Sequence, residues 1–312
     1  MNPAEDRDSK LFGVSLSTMW AKGRFSSMAG FVIKAKEFGF THIEANASVS
    51  PQMLSELRKT RVSISSIHSP CPATLSSRGT PTSSLSLSSL NESDRMEAVS
   101  FTKRTLDLAS SVEARAIVLH MGEVPIDLSL QDRLYELHKG GYAQTKEYGR
   151  AKEELVYRRN SQALHYLCEA KKSLQEITEY GLQKGIILGL ETRFHPHEIP
   201  NMDEMAELLN NVPGNLVGYW HDVGHAEVQQ QLGFGSHEEW LSRFTDRMIG
   251  IHLHDVLGIA DHYAPGKGNI DWEMVTKYLP PKILKVCEIG EWNNEGQIQG
   301  VIGFLKNRGV LN

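Results

Sequence analysis

Eight short runs rich in β-branched and aromatic residues, each separated from the next by a longer stretch, constrain this chain more than any other feature. They are LFGVSLS (11–17), HIEAN (42–46), VSISSIH (62–68), AIVLH (116–120), IILGLE (186–191), LVGYWHD (216–222), IGIHLHD (249–255) and ILKVCEI (283–289). Between them the period changes to that of a helix: Phe31, Val32, Ala35 and Phe38 follow the first run, and Leu164, Leu167, Leu174 and Ile177 precede the fifth. NMDEMAELLNNVPG (201–214) reads as a helix stopped at Pro213-Gly214. Eight strand–helix repeats in 312 residues predict an α/β fold, a single (β/α)8 TIM barrel spanning 1–312. A doubly wound open sheet is the alternative, but no glycine-rich dinucleotide fingerprint follows the first run.

Two stretches interrupt the repeat. SSRGTPTSSLSLSSLNESD (76–94) is rich in serine and turn formers, so an extended loop is expected after the third strand. Residues 123–159 follow the fourth strand and carry clustered charge. Both are expected as loop insertions over the C-terminal face of the barrel, as lids or substrate walls. Residues 1–10, MNPAEDRDSK, read as a polar tail without the apolar core of a secretory signal, and no later run reaches spanning length. A soluble, cytoplasmic protein with no membrane partner is therefore expected. A net charge of −5 weighs against nucleic acid as a partner. Cys71, Cys168 and Cys287 are far apart and form no CxxC, so neither a disulfide framework nor a thiolate zinc site is expected.

The residues that end the strands carry the functional signal. His68 closes the third, His120 the fourth, Glu191 the fifth, Asp222 the sixth, His252 and Asp255 the seventh, and Glu288 lies at the end of the eighth; Glu44 nearly closes the second. In a barrel these positions converge on one mouth. So many uncompensated polar groups in one place would cost several kcal/mol, and a divalent cation is the economical explanation. Mixed carboxylate and imidazole donors without thiolate suit Mn, Zn, Co or Fe. In YWHDVGHAE (219–227), Gly224 permits a sharp turn that would let Asp222 and His225 converge, while alternation points His221 away from the mouth.

The motifs LGLETR, HDVGH, IHLHDVLGIADHYAPGKGNIDW and VCEIGEW, in this order, resemble those of the xylose isomerase-like TIM barrels, a superfamily of sugar isomerases, epimerases, inosose dehydratases and endonuclease IV repair enzymes. The resemblance covers nearly the whole chain. It implies one divalent metal ion, Mn or Zn first, with Co, Fe or Mg as alternatives, held by Glu191, Asp222, His252 and Glu288. His252 is preferred to His254 because it lies three residues before Asp255, which leaves His254 at a variable position. It further implies a sugar, sugar phosphate or keto-polyol substrate, proton transfer through a metal-stabilised enediolate with Glu191 and Glu288 as base and acid, and a homodimer or homotetramer. His68, His120, His225 and His262 are candidates for a second metal or for substrate contact.

Arg193 could clamp a substrate oxygen with its planar fork, Trp20 and Glu44 could line the pocket, and Lys267 could reach an anionic group. Xylose isomerases proper carry Lys-Pro after the fifth-strand glutamate; Thr192-Arg193 stands here, which argues against hydride-shift chemistry. The rival reading is an endonuclease IV-like AP endonuclease with a multinuclear zinc site, and an inosose-type dehydratase is a neighbouring one. Against the nuclease, the acidic ligand expected two residues before His262 is replaced by Ala260, with Asp261 offset by one.

Overall fold

A computed structural model describes residues 13–311. The tail read at 1–10 and the first two residues of the run at 11–17 lie outside the described residues. The strands are β1 (Val14–Ser17), β2 (His42–Ala45), β3 (Ile64–His68), β4 (Ala116–Leu119), β5 (Ile187–Glu191), β6 (Val217–Asp222), β7 (Met248–Leu253), β8 (Asp255–Leu257), β9 (Ala260–Tyr263) and β10 (Leu284–Cys287). Eight of them close a parallel barrel in the order β1-β10-β7-β6-β5-β4-β3-β2, while β8 and β9 form a separate antiparallel pair. The fold is the predicted (β/α)8 barrel, and each of the eight runs contributes one barrel strand.

The helices are α1 (Met28–Glu37), α2 (Pro51–Lys59), α3 (Glu92–Ser111), α4 (Leu128–Lys139), α5 (Lys146–Lys184), α6 (Met202–Asn210), α7 (Val223–Gln231), α8 (His237–Phe244), α9 (Trp272–Lys277), α10 (Glu295–Gln299) and α11 (Val301–Asn307). Local chemistry sets their starts: Ser27, Ser50, Asn91, Asp127, Thr145 and Asn201 each accept a backbone N–H of the first turn. Gly185, left-handed at φ 68°, ends the 39-residue α5.

Alternation along each strand divides its side chains between two cores. Outward residues such as Ile43, Ile117, Leu188 and Ile251 pack under the helices. Inside the barrel Ala116, Val118, Trp220, Leu284 and Val286 form a separate cluster. Trp220 fills the centre because Gly250 faces it: a Cβ at Gly250 would come within 2.3 Å of the indole. The same alternation puts Asp222 inward, above Trp220 and beside His252, its partner in the β6–β7 register.

Two local expectations are corrected. Within 123–159 the chain is mostly helical, because Leu134, Tyr148, Ala151 and Leu155 of α4 and α5 bury one another in their own small core. The run read as a strand to Asp255 ends at Leu253, and Asp255 starts the β8–β9 hairpin. Its buried carboxylate accepts the backbone N–H groups of Gly266 (2.8 Å) and Ile270 (3.0 Å), so it braces the following loop instead of facing the mouth.

Candidate metal centre

Glu191, Asp222, His252 and Glu288 come from the ends of β5 and β6, the body of β7 and the residue after β10, and all are buried. One ligand-capable atom from each lies within 4.8 Å of the others. The focus is His252 Nδ1, which has Glu191 Oε1 at 2.6 Å, Glu288 Oε2 at 3.2 Å and Asp222 Oδ2 at 3.4 Å. On the far side of the ring Nε2 meets Glu44 Oε1 at 3.1 Å, and Glu44 Oε2 accepts the Ser66 hydroxyl at 2.7 Å. Burial alone would lower the His252 imidazolium, but Glu288 and Glu44 push it well above its ordinary range. Burial likewise acts to raise the Glu191 carboxyl, and is outweighed by His120, His252 and His68, which hold it well below the usual carboxylate value.

Two properties make this set fit a divalent cation. Glu44, Glu191, Asp222 and Glu288 are buried around the His252 imidazole, an excess of negative charge that a cation would offset. Asp222 Oδ2 is buried with no hydrogen-bond partner, whereas its Oδ1 is fully engaged. The donors are carboxylate oxygen and imidazole nitrogen, with no thiolate among them.

Two further groups flank this one. His68, His120 and Glu191 bring ligand-capable atoms together on one side, and His225, His254 and His262 do so on the other. His120 Nε2 lies 2.7 Å from Glu191 Oε2, and His68 Nε2 lies 3.2 Å from His120 Nε2. His225 donates Nδ1–H to the Thr192 carbonyl (2.8 Å), which leaves Nε2 toward Asp261 at 3.6 Å. The offset Asp261 thus reaches the His225–His262 pair, with His262 Nδ1 3.0 Å from its other oxygen.

Above this central set opens a cavity of about 440 Å³, in the range of small-molecule sites. Glu191 and Glu288 reach it from the floor; His68, His120, Arg193, His225, His262 and Met19 are among its walls. Arg193 is buried, donates to Glu191 Oε2 at 2.9 Å and pairs with Glu198. His195 also lines the cavity and is backed by the Tyr135 hydroxyl of α4 at 3.1 Å, so the 123–159 segment does support one wall.

Three residues expected at the pocket are elsewhere. Trp20 is fully buried among Phe25, Phe31 and Phe38 and donates its indole N–H to the Asn293 carbonyl; its neighbour Met19 faces the cavity. Lys267 is exposed on the loop after β9, outside the cavity wall. Glu44 lies one layer below the cavity, against His252. His221 points outward as expected, bonded to Tyr219 and His237. His254, set aside on the sequence as a variable position, lies against Asp222.

A closed eight-stranded barrel with a carboxylate–imidazole cluster at the C-terminal ends of its strands defines a class of barrel built around a candidate metal centre. Residues 32–308 match the family described as xylose isomerase-like TIM barrels, and the chain belongs to that family. It is similar in structure to a D-tagatose 3-epimerase-like protein (TM-score 0.69, 19% identity, covering 96% of this chain and 97% of that one). It is also similar to the D-allulose 3-epimerase of a Methylomonas species (TM-score 0.65, 14% identity, covering 95% and 98%). An uncharacterized protein of Sinorhizobium fredii, y4fM, is 26% identical over 109 residues, and the match spans about a third of each chain (35% and 34%).

Proposed function

We propose that this protein is a divalent-metal-dependent sugar isomerase or epimerase that moves a proton at the carbon next to a substrate carbonyl. The observation that carries this reading is the convergence of Glu191, Asp222 and Glu288 on His252 Nδ1 at the floor of a cavity of about 440 Å³. The similar structures, a D-tagatose 3-epimerase-like protein and a D-allulose 3-epimerase, support a ketose substrate.

Glu191, Asp222, His252 and Glu288 would hold the ion. When bound, it would supply Lewis acidity that stabilises negative charge on substrate oxygens as the neighbouring proton leaves. Glu191 and Glu288 are both at the cavity floor, so either can hold a proton removed from the substrate while the other returns one. Their surroundings differ: Glu191 is gripped by His120, Arg193 and His252, whereas Glu288 Oε2 has His252 and, at 3.6 Å, His262. Arg193 and His120, in the cavity wall, would orient substrate oxygens. An inosose-type dehydratase would use the same proton abstraction and then expel water. The multinuclear nuclease reading is favoured by one observation, the two ligand-capable groups that flank the central set.

The test is exchange in D2O. Metal-loaded protein incubated with ketohexoses, pentuloses and inososes should introduce deuterium next to the carbonyl, read by proton NMR, and Glu191→Gln or Glu288→Gln should stop it. Absence of exchange with every sugar, together with cleavage of abasic DNA, would replace this reading with the nuclease.

A further inference from the structure

We infer that His254 is a positioning residue for Asp222, not a metal ligand, and that Gly224 exists to make room for it. This deepens the proposed metal centre and rests on Asp222 being one of its ligands. Three observations carry it.

The first is the assignment of the ring's single proton. The backbone N–H of His262 points at His254 Nδ1 from 2.9 Å, and a backbone N–H can only donate. Nδ1 is therefore the acceptor, the proton sits on Nε2, and that Nε2–H donates to Asp222 Oδ1 at 2.9 Å. Both nitrogens are occupied, so His254 has no lone pair to offer an ion although it lies within reach of His225 and His262.

The second concerns the carboxylate. Asp222 Oδ1 also accepts the backbone N–H of His225 at 2.7 Å, as the cap of α7. Two donors saturate Oδ1 and fix the carboxylate plane, which leaves the unpartnered Oδ2 directed at the His252 side of the cluster. A ligating carboxylate held in this way is the arrangement that raises metal affinity by lowering the cost of ordering it.

The third is the space around the ring. A Cβ at residue 224 would stand 2.0 Å from His254 Cε1 and 2.5 Å from Nδ1, so only glycine lets α7 pass over the imidazole. One face of the ring is covered by His262, stacked at 4.3 Å with an interplanar angle of 6°. His262 reaches that place in the left-handed region, at φ 58°, uncommon for a residue with a side chain.

The experiment separates the two nitrogens. Asn places an amide oxygen near the Nδ1 position and keeps the acceptor for His262; Gln places an amide N–H near the Nε2 position and keeps the donor to Asp222. Mn²⁺ and Zn²⁺ affinities are measured by chelator competition on the full chain. The expected result is a roughly 10–100-fold loss in His254→Asn and near wild-type affinity in His254→Gln. Unchanged affinity in both, loss in Gln alone, or equal loss in both would overturn the assignment. Long-range proton–nitrogen NMR of wild-type protein labelled at histidine gives a second measurement that needs no variant to fold. An Nε2–H tautomer for His254 upholds the inference and an Nδ1–H tautomer overturns it. Wild-type protein that takes up no divalent ion would defeat the metal-centre reading, and the tautomer would still decide the contact with Asp222.

Discussion

Replacing Gly224 by Ala in α7 is a small change that should be costly. In an ordinary helix interior Ala stabilises relative to Gly by about 1 kcal/mol, and Gly224 has no positive φ to forbid a side chain. Here the new methyl would lie 2.0 Å from His254 Cε1 and 3.0 Å from Nε2, so the ring must move. The ring is fully buried, stacked on His262 and bonded at both nitrogens, so moving it disturbs those contacts. Overpacking of this kind costs about 1–3 kcal/mol, and displacing the bond to the Asp222 carboxylate adds about 1.5–3 kcal/mol. Set against the helix gain, the net loss is about 1.5–5 kcal/mol. Urea denaturation of metal-free Gly224→Ala measures it directly. A double-mutant cycle with His254→Ala should show strong coupling, because removing the ring removes the collision. Stability equal to or above wild type in Gly224→Ala, with no coupling, would refute the packing argument.

Other outcomes follow from buried charge elsewhere. Arg159→Met should destabilise by about 3–5 kcal/mol, because it strands the buried Glu204 carboxylate that Arg159 holds with two bonds of 2.6 Å; adding Glu204→Gln should recover part of the loss in thermal denaturation. Asp255→Ala should cost about 2–4 kcal/mol and speed amide exchange at Gly266 and Ile270, whose N–H groups lose their acceptor. Burial alone would raise the Glu198 carboxyl, but Arg193 and nearby groups hold it at about 2. A depressed carboxylate stabilises the fold above its unfolded pKa and loses that contribution as pH falls through the folded value. The stability advantage of wild type over Glu198→Gln should therefore shrink between about pH 5 and about pH 2.5, read by melting temperature at each pH. A constant difference across that window would contradict the Arg193–Glu198 pairing.

The barrel was legible because its strands are short apolar runs whose inward residues alternate with outward ones. The same rule made Glu191 and Asp222 readable as strand-end groups facing one mouth, with His252 and Glu288 close by. What escaped depended on geometry beyond the strand. His254 stands two residues after His252, on the same face by alternation, and that spacing was a usable signal; its value lay in the β8–β9 hairpin, which returns the His262 N–H over the ring. Trp20 was placed at the pocket by its position after β1, whereas the nearby Phe25, Phe31 and Phe38 marked the aromatic core that claims it. Glu44 precedes the end of β2 by one residue, enough to set it beneath the cavity and against His252. The helix at 128–139 and the first turns of the one from 146 were hidden by surface charge, since Leu134, Tyr148, Ala151 and Leu155 form a small cluster apart from the main core.

The most direct test of the central claim is anomalous diffraction at the metal edge on crystals of protein purified without chelator, with elemental analysis of the same sample. The account predicts one divalent ion per chain, bound to Glu191, Asp222, His252 and Glu288, with His254 outside its coordination shell. No ion at that position, or an ion ligated by His254, would contradict it.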